Sequence, residues 1–106
     1  MNTQTIPTKF YSDAGHGWYA VKAKWLWVLG LTEQISSFSF MKGATVYLEE
    51  DSDAAAFISA ANKNGYVMQV NQSSYVERSP IRGYSRYSTA AREEKNNSNP
   101  DMMGAT

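Results

Sequence analysis

Between Ser36 and Val70 the apolar residues change period twice, and this narrows the choice of fold more than any other feature of the chain. From Ser36 to Leu48 they alternate. Phe38 and Phe40 share one face of SSFSF, Lys42-Gly43 supplies a turn with a residue free to take positive φ, and Thr45-Val46-Tyr47-Leu48 alternates again. The period then lengthens, with Ala54, Phe57, Ile58 and Ala61 at the i, i+3, i+4, i+7 spacing of an amphipathic helix. Asp51 or Asp53 is placed to cap that helix and Gly65 to stop it. After Gly65 the period is two once more, with Tyr66, Met68 and Val70 on one face. A hairpin, a helix and a strand in succession predict an antiparallel sheet with helices packed on one side.

Upstream, Trp18-Tyr19-Ala20-Val21-Lys22 reads as a strand bounded by Gly17. Periodicity alone leaves Lys24 to Leu29 as either a short helix or a strand extension. Trp25, Val28 and Leu29 at i, i+3 and i+4, followed by Gly30-Leu31, favour a helix with a glycine C-cap. The predicted order is β-α-β-β-α-β, an α+β fold with a four-stranded antiparallel sheet and two helices, ferredoxin-like in arrangement. If residues 24–29 extend the strand, the sheet carries a single helix instead. The expected organisation is a flexible N-terminus at 1–9, an α+β domain at 10–76 opening with a loop at 10–17, an Arg/Tyr-rich arm at 77–90, and a disordered polar tail at 91–106. A short helix over 89–95 is an alternative for the start of that tail. Trp18, Trp25 and Trp27 are large enough that most of them should be core.

Several chemistries are excluded at once. The chain has no cysteine, so it has neither disulfides nor thiolate chemistry. Its longest apolar stretch, Trp25 to Leu29, is far too short to span a bilayer, and its N-terminus lacks the basic start and apolar run of a signal peptide. A cytoplasmic protein without a membrane partner is expected. Neither a Walker-type glycine loop nor the aromatic signature of an RNA-recognition motif occurs, and no cofactor is expected. His16 is the only histidine. With Asp13 orienting its ring it would suit a general base, but a lone loop histidine without metal-ligating companions reads as structural or solvated.

The charges balance to zero, yet they are clustered. Glu49, Glu50, Asp51 and Asp53 form an acidic knot. It fits the N-terminus of the following helix, where acids are favoured, and offers two acids more than capping needs. Arg78, Arg82 and Arg86, interleaved with Tyr84 and Tyr87, form an arm whose chemistry suits a protein interface or phosphate pairing with base stacking. These nine residues are the candidate partner-binding set. The favoured partner is a protein, nucleic acid is the alternative, and exposed aromatics equally suit a homodimer face.

The segments FYSDAGHGWYAV, ISSFSF, VYLEEDSDAAAFISA and PIR, followed by a tyrosine-rich end, resemble a set of small proteins of bacteriophages and other mobile elements across residues 10–87. The resemblance implies a short, non-enzymatic accessory protein made inside a host cell. It further implies action by binding and modulating or inhibiting one host protein, a defence system included. It carries no catalytic residue onto this sequence.

Overall fold

The computed structural model describes residues 3–89. The tail read at 91–106, and all but the first residue of the helix weighed at 89–95, lie outside them. The elements are β1 (Gln4–Ser12), β2 (Gly17–Lys22), α1 (Ala23–Val28), β3 (Phe40–Lys42), β4 (Thr45–Glu49), α2 (Ser52–Lys63), β5 (Tyr66–Tyr75), a 3-10 turn (Pro80–Gly83) and β6 (Ser85–Arg86). The strands form one six-stranded sheet in the order β5-β1-β2-β4-β3-β6. It is mixed: β1 runs parallel to β5, and every other neighbouring pair is antiparallel.

The fold is α+β with two helices, as the sequence predicts, but the sheet has six strands where four antiparallel ones were expected. Leaving out β1 and β6, the remaining chain order is β-α-β-β-α-β. The difference is therefore two additions, one between β5 and β2 and one beside β3. The first is built from residues expected to be loose or looped. Ile6 and Thr8 are buried, and Phe10 stacks on Tyr19 of β2 at 4.7 Å. Thr8 keeps its hydroxyl satisfied by donating to its own strand, to the Ile6 carbonyl at 3.0 Å. Pro7 is tolerated because the ladder to β2 begins only at Lys9↔Ala20, so β5 alone pairs with the strand at Pro7.

Helix α1 forms where expected, and its end follows from sequence. Gly30 takes φ +71°, Leu31 N–H donates to the Leu26 carbonyl at 2.7 Å, and Gly30 N–H donates to the Trp27 carbonyl at 3.1 Å. That is a Schellman ending. Its buried face differs from the predicted one: Ala23 and Leu26 point inward, while Val28 and Trp27 are exposed. Of the three tryptophans only Trp18 is buried, and Trp27 is 76% exposed.

The sheet is covered on both faces. One face, carrying Ile6, Val21, Val46 and Leu48, packs against Leu26 of α1 and Ala54, Phe57 and Ala61 of α2. Ile58, expected with them, sits at the flank and is partly exposed. The opposite face, carrying Trp18 and Phe40 with Tyr11 and Tyr47, is covered by Ile81 and Tyr84. The segment read as an arm at 77–90 is thus, as far as Thr89, folded onto the sheet. It crosses one face, pairs β6 with β3, and then buries Tyr87 in the helix-side core. The Tyr87 hydroxyl donates to the Thr32 carbonyl at 2.6 Å.

The hairpin is shorter than predicted. Gly43 takes φ +61° in the β3–β4 turn, but strand structure begins only at Phe40. Residues 36–39 are drawn away by Asp53. Its carboxylate accepts from the Ser36 N–H at 3.1 Å, the Ser36 hydroxyl at 2.7 Å and the Ser39 hydroxyl at 2.6 Å. Serine side chains that bond elsewhere compete with a ladder, and Phe38 is left 70% exposed.

Candidate functional site

The end of β1, the start of β2, the end of β4 and the 3-10 turn meet at one end of the sheet, and an open cleft of about 550 Å³ lies there. Trp18 and Phe40, 6.3 Å apart edge to face, form its floor. The Arg82 guanidinium lies 5.7 Å from the Trp18 ring centroid and that of Arg86 lies 5.2 Å from Phe40. His16 also lies beside Trp18, with ring centroids 6.1 Å apart. Phe38, Glu50 and Asp51 complete the rim.

Asp13 is the anchor of this arrangement. Its side chain is 1% exposed and takes five hydrogen bonds: from the backbone N–H groups of Gly15, His16 and Ser79 at 3.0, 3.0 and 3.1 Å, and from Arg82 Nε and Nη2 at 2.6 and 2.9 Å. The Arg82 guanidinium, aided by those N–H groups against the opposing effect of burial, holds the Asp13 carboxyl far below the usual carboxylate range. Asp13 raises the Arg82 pKa in return. Asp13 would have had to orient the His16 ring for His16 to act as a general base. It instead binds the His16 backbone and clamps residues 79–82 onto the β1–β2 turn.

The acidic knot divides into two pairs with different roles. Glu49, not Asp51 or Asp53, caps α2. It accepts from the N–H groups of Asp51, Ser52 and Asp53 at 2.6, 2.8 and 3.0 Å and from the Ser52 hydroxyl at 3.0 Å. Burial pushes its pKa up, but these donors outweigh burial and leave it lowered. Asp53 is buried and bound to Ser36 and Ser39, as described above. Glu50 and Asp51 are exposed, and both border the cleft. Gly17 is part of the same construction. A Cβ there would come within 2.6 Å of the Phe10 ring and 2.8 Å of Glu50 Oε1, so the missing side chain is what lets that carboxylate lie over the β2 start.

The arginine stretch divides likewise. Arg82 is committed to Asp13. Arg86 donates to the Ser37 carbonyl at 2.9 Å and keeps the rest of its guanidinium at the cleft. Arg78 is exposed and does not border it. Tyr84 stacks on Tyr47 at 5.2 Å, under Lys42. Burial, together with Tyr84 and Tyr11, pushes the Tyr47 pKa up.

The fold therefore brings Glu49, Glu50, Asp51, Arg82 and Arg86 together, and leaves Arg78, Tyr84, Tyr87 and Asp53 outside the cleft. His16, Trp18 and Phe38 join it without having been in the candidate set. His16 was weighed as a general base and read as structural or solvated, Trp18 was assigned to a strand as core, and Phe38 was assigned to a hairpin face. No group of three or more His, Asp or Glu side chains among the described residues could hold a metal ion. No helix among them is long and apolar enough to cross a membrane. Comparison with protein-family models, curated proteins and solved structures gives no match.

Proposed function

We propose that this chain is a non-enzymatic binding module that modulates a partner protein, with the cleft as its contact surface. The observation that carries this reading is the exposed ring of Phe38 beside the uncommitted carboxylates of Glu50 and Asp51 and the part-committed guanidinium of Arg86. Aromatic and arginine side chains over a fixed floor are the usual composition of an interface hot spot. The floor is preorganised, because the Asp13–Arg82 pair and the Glu49 cap hold it without a ligand, which lowers the ordering cost of binding. The partner surface this fits offers an apolar side chain to Phe38 and a lysine or arginine to Glu50 and Asp51. The resemblance to mobile-element proteins makes a host protein, a defence component among the options, the partner to look for.

The test is affinity capture from nuclease-treated bacterial lysate, with the identified partner then titrated against variants. Phe38→Ala should weaken binding by about 2 kcal/mol, roughly 30-fold, and the Glu50→Lys/Asp51→Lys pair should abolish it while the protein stays folded, with a loss of about 1–2 kcal/mol from two cations at the start of α2. A partner that binds all three proteins equally would remove the cleft from consideration.

A further inference from the structure

The other end of the same sheet face carries a different chemistry. Lys9 on β1, Lys22 at the end of β2 and Lys42 at the end of β3 share a face with Tyr11 and Tyr47. The registers Lys9↔Ala20, Ala20↔Tyr47 and Lys22↔Thr45↔Lys42 require it. All three lysines are exposed, as is Lys24 at the start of α1. Ile81 covers the cleft-side half of this face, and Tyr84 lies farther along it, against Tyr47 and beneath Lys42. Beyond them lies an open depression of about 490 Å³, bordered by Lys9, Lys22, Lys24, Trp25, Tyr47 and Asn71 among others, and no carboxylate borders it.

A group of acids therefore gathers at one end of the sheet, in company with Arg78 and Arg82, and lysines hold the other. Asp13, Glu49, Glu50, Asp51 and Glu77 belong to the end where Ser12 faces Gly17 and Tyr75. Lys22, Lys24 and Lys42 belong to the opposite end, where β2 gives way to α1 and β3 turns into β4. A zero net charge conceals this division, and a local field of one sign still attracts an oppositely charged ligand.

Two of the ammonium groups sit beside rings. Lys24 Nζ is 5.6 Å from the Trp25 ring centroid and Lys42 Nζ is 4.8 Å from that of Tyr84. Around the depression Lys24 and Trp25 of α1 stand with Lys9, Lys22 and Tyr47 of the sheet, and cations beside rings match a backbone that carries phosphates and bases in alternation. From β1 to β3 the lysines span three strand spacings, about 14 Å, too wide for one phosphate and suited to a chain of them.

We propose that this lysine-rimmed face binds single-stranded nucleic acid, with the lysines on successive phosphates and bases against the Trp25 and Tyr47 rings. The surface is separate from the cleft and does not depend on what the cleft binds. It also differs from an arginine-arm site, since Arg82 is committed to Asp13 and Arg86 lies against the Phe40 ring at the cleft, bonded to the Ser37 carbonyl.

The experiment is fluorescence anisotropy of a labelled oligodeoxythymidylate of about a dozen nucleotides, titrated with the protein across a salt series. Three or four neutralised phosphates give a log–log salt slope of about −2 to −3, a loss of roughly 15- to 60-fold between about 50 and 200 mM salt. Lys22→Gln with Lys24→Gln, both at the border of the depression, should flatten the slope by about 1.4, whereas Arg78→Gln with Arg86→Gln should leave it unchanged. An abasic oligomer of equal charge should bind at least roughly fivefold more weakly, because it cannot stack. Absence of binding at the lowest salt overturns the proposal, and an acidic protein would then be the better occupant. Binding that follows the arginines moves the site to the arm. Equal binding of the abasic oligomer reduces the face to a general polyanion surface and overturns the assignment to nucleic acid.

Discussion

Replacing Asp53 by alanine tests whether half of the acidic run is structural. The Asp53 carboxylate is the acceptor for three donors: the Ser36 N–H, the Ser36 hydroxyl and the Ser39 hydroxyl. Ser39 is fully buried, so its hydroxyl loses an acceptor that water cannot replace, at about 1–3 kcal/mol. The Ser36 groups are only part-buried and can turn to solvent, which limits their share to about 1–2 kcal/mol. The expected loss is about 3–4 kcal/mol, a large part of the roughly 5–10 kcal/mol such a domain has. At about 4–8 °C per kcal/mol for a domain of this size, the Tm should fall by roughly 12–32 °C. Urea and thermal unfolding followed by circular dichroism measure this directly. Ser39→Ala in the Asp53→Ala background removes the orphaned hydroxyl, so the two substitutions should be coupled by about 1–2 kcal/mol. A loss below about 1 kcal/mol, or strict additivity with Ser39→Ala, would refute the reasoning. Asp51→Lys, two positions away and exposed, should stay within about 1 kcal/mol of the parent.

Three further outcomes are expected. Asp13 and Glu49 both have folded pKa values below their ordinary 3.8 and 4.5. The stability they contribute is therefore complete above about pH 4.5 and is lost as pH falls through and below that range. Urea midpoints should drop on acidification, and Arg82→Gln should make the drop shallower. Gly17→Ala must displace the Phe10 ring and the Glu50 carboxylate, so it should cost about 1–3 kcal/mol in urea unfolding and also weaken binding at the cleft. Amide hydrogen exchange should find residues 9–12 of β1 protected to nearly the global stability, since they are paired on both sides, unlike a loose N-terminus.

Local chemistry made much of the fold legible. Gly30-Leu31, Gly43 and Gly65 mark endings whose backbone φ values only glycine adopts easily, and each falls where the sequence places it. The period-3.6 pattern of α2 located Ala54, Phe57 and Ala61 in the core. What escaped was set by partners distant in sequence. Residues 4–12 look polar alone, because Thr8 hides its hydroxyl in its own strand and the tyrosine and lysine positions belong to a second face that only the returning C-terminal segment reveals.

The site was legible in its parts and hidden in its assembly. Acidic run and arginine stretch were each conspicuous, but sequence assigns a cluster of charge one role. Folding sorts each cluster by reach: Asp53 to two serines, Glu49 to a helix end, Arg82 to a buried carboxylate 69 residues away. The charges left over, Glu50, Asp51 and Arg86, come from both clusters and meet over Trp18 and Phe40. A committed charge and a spare one are therefore distinguishable by experiment. Neutralising Glu49, Asp53 or Asp13 should lower stability, whereas neutralising Glu50 or Asp51 should lower affinity alone. If Glu50→Gln and Asp53→Asn shifted stability equally, the division of the knot into a supporting pair and a contacting pair would fail, and the binding surface drawn from it would fail too.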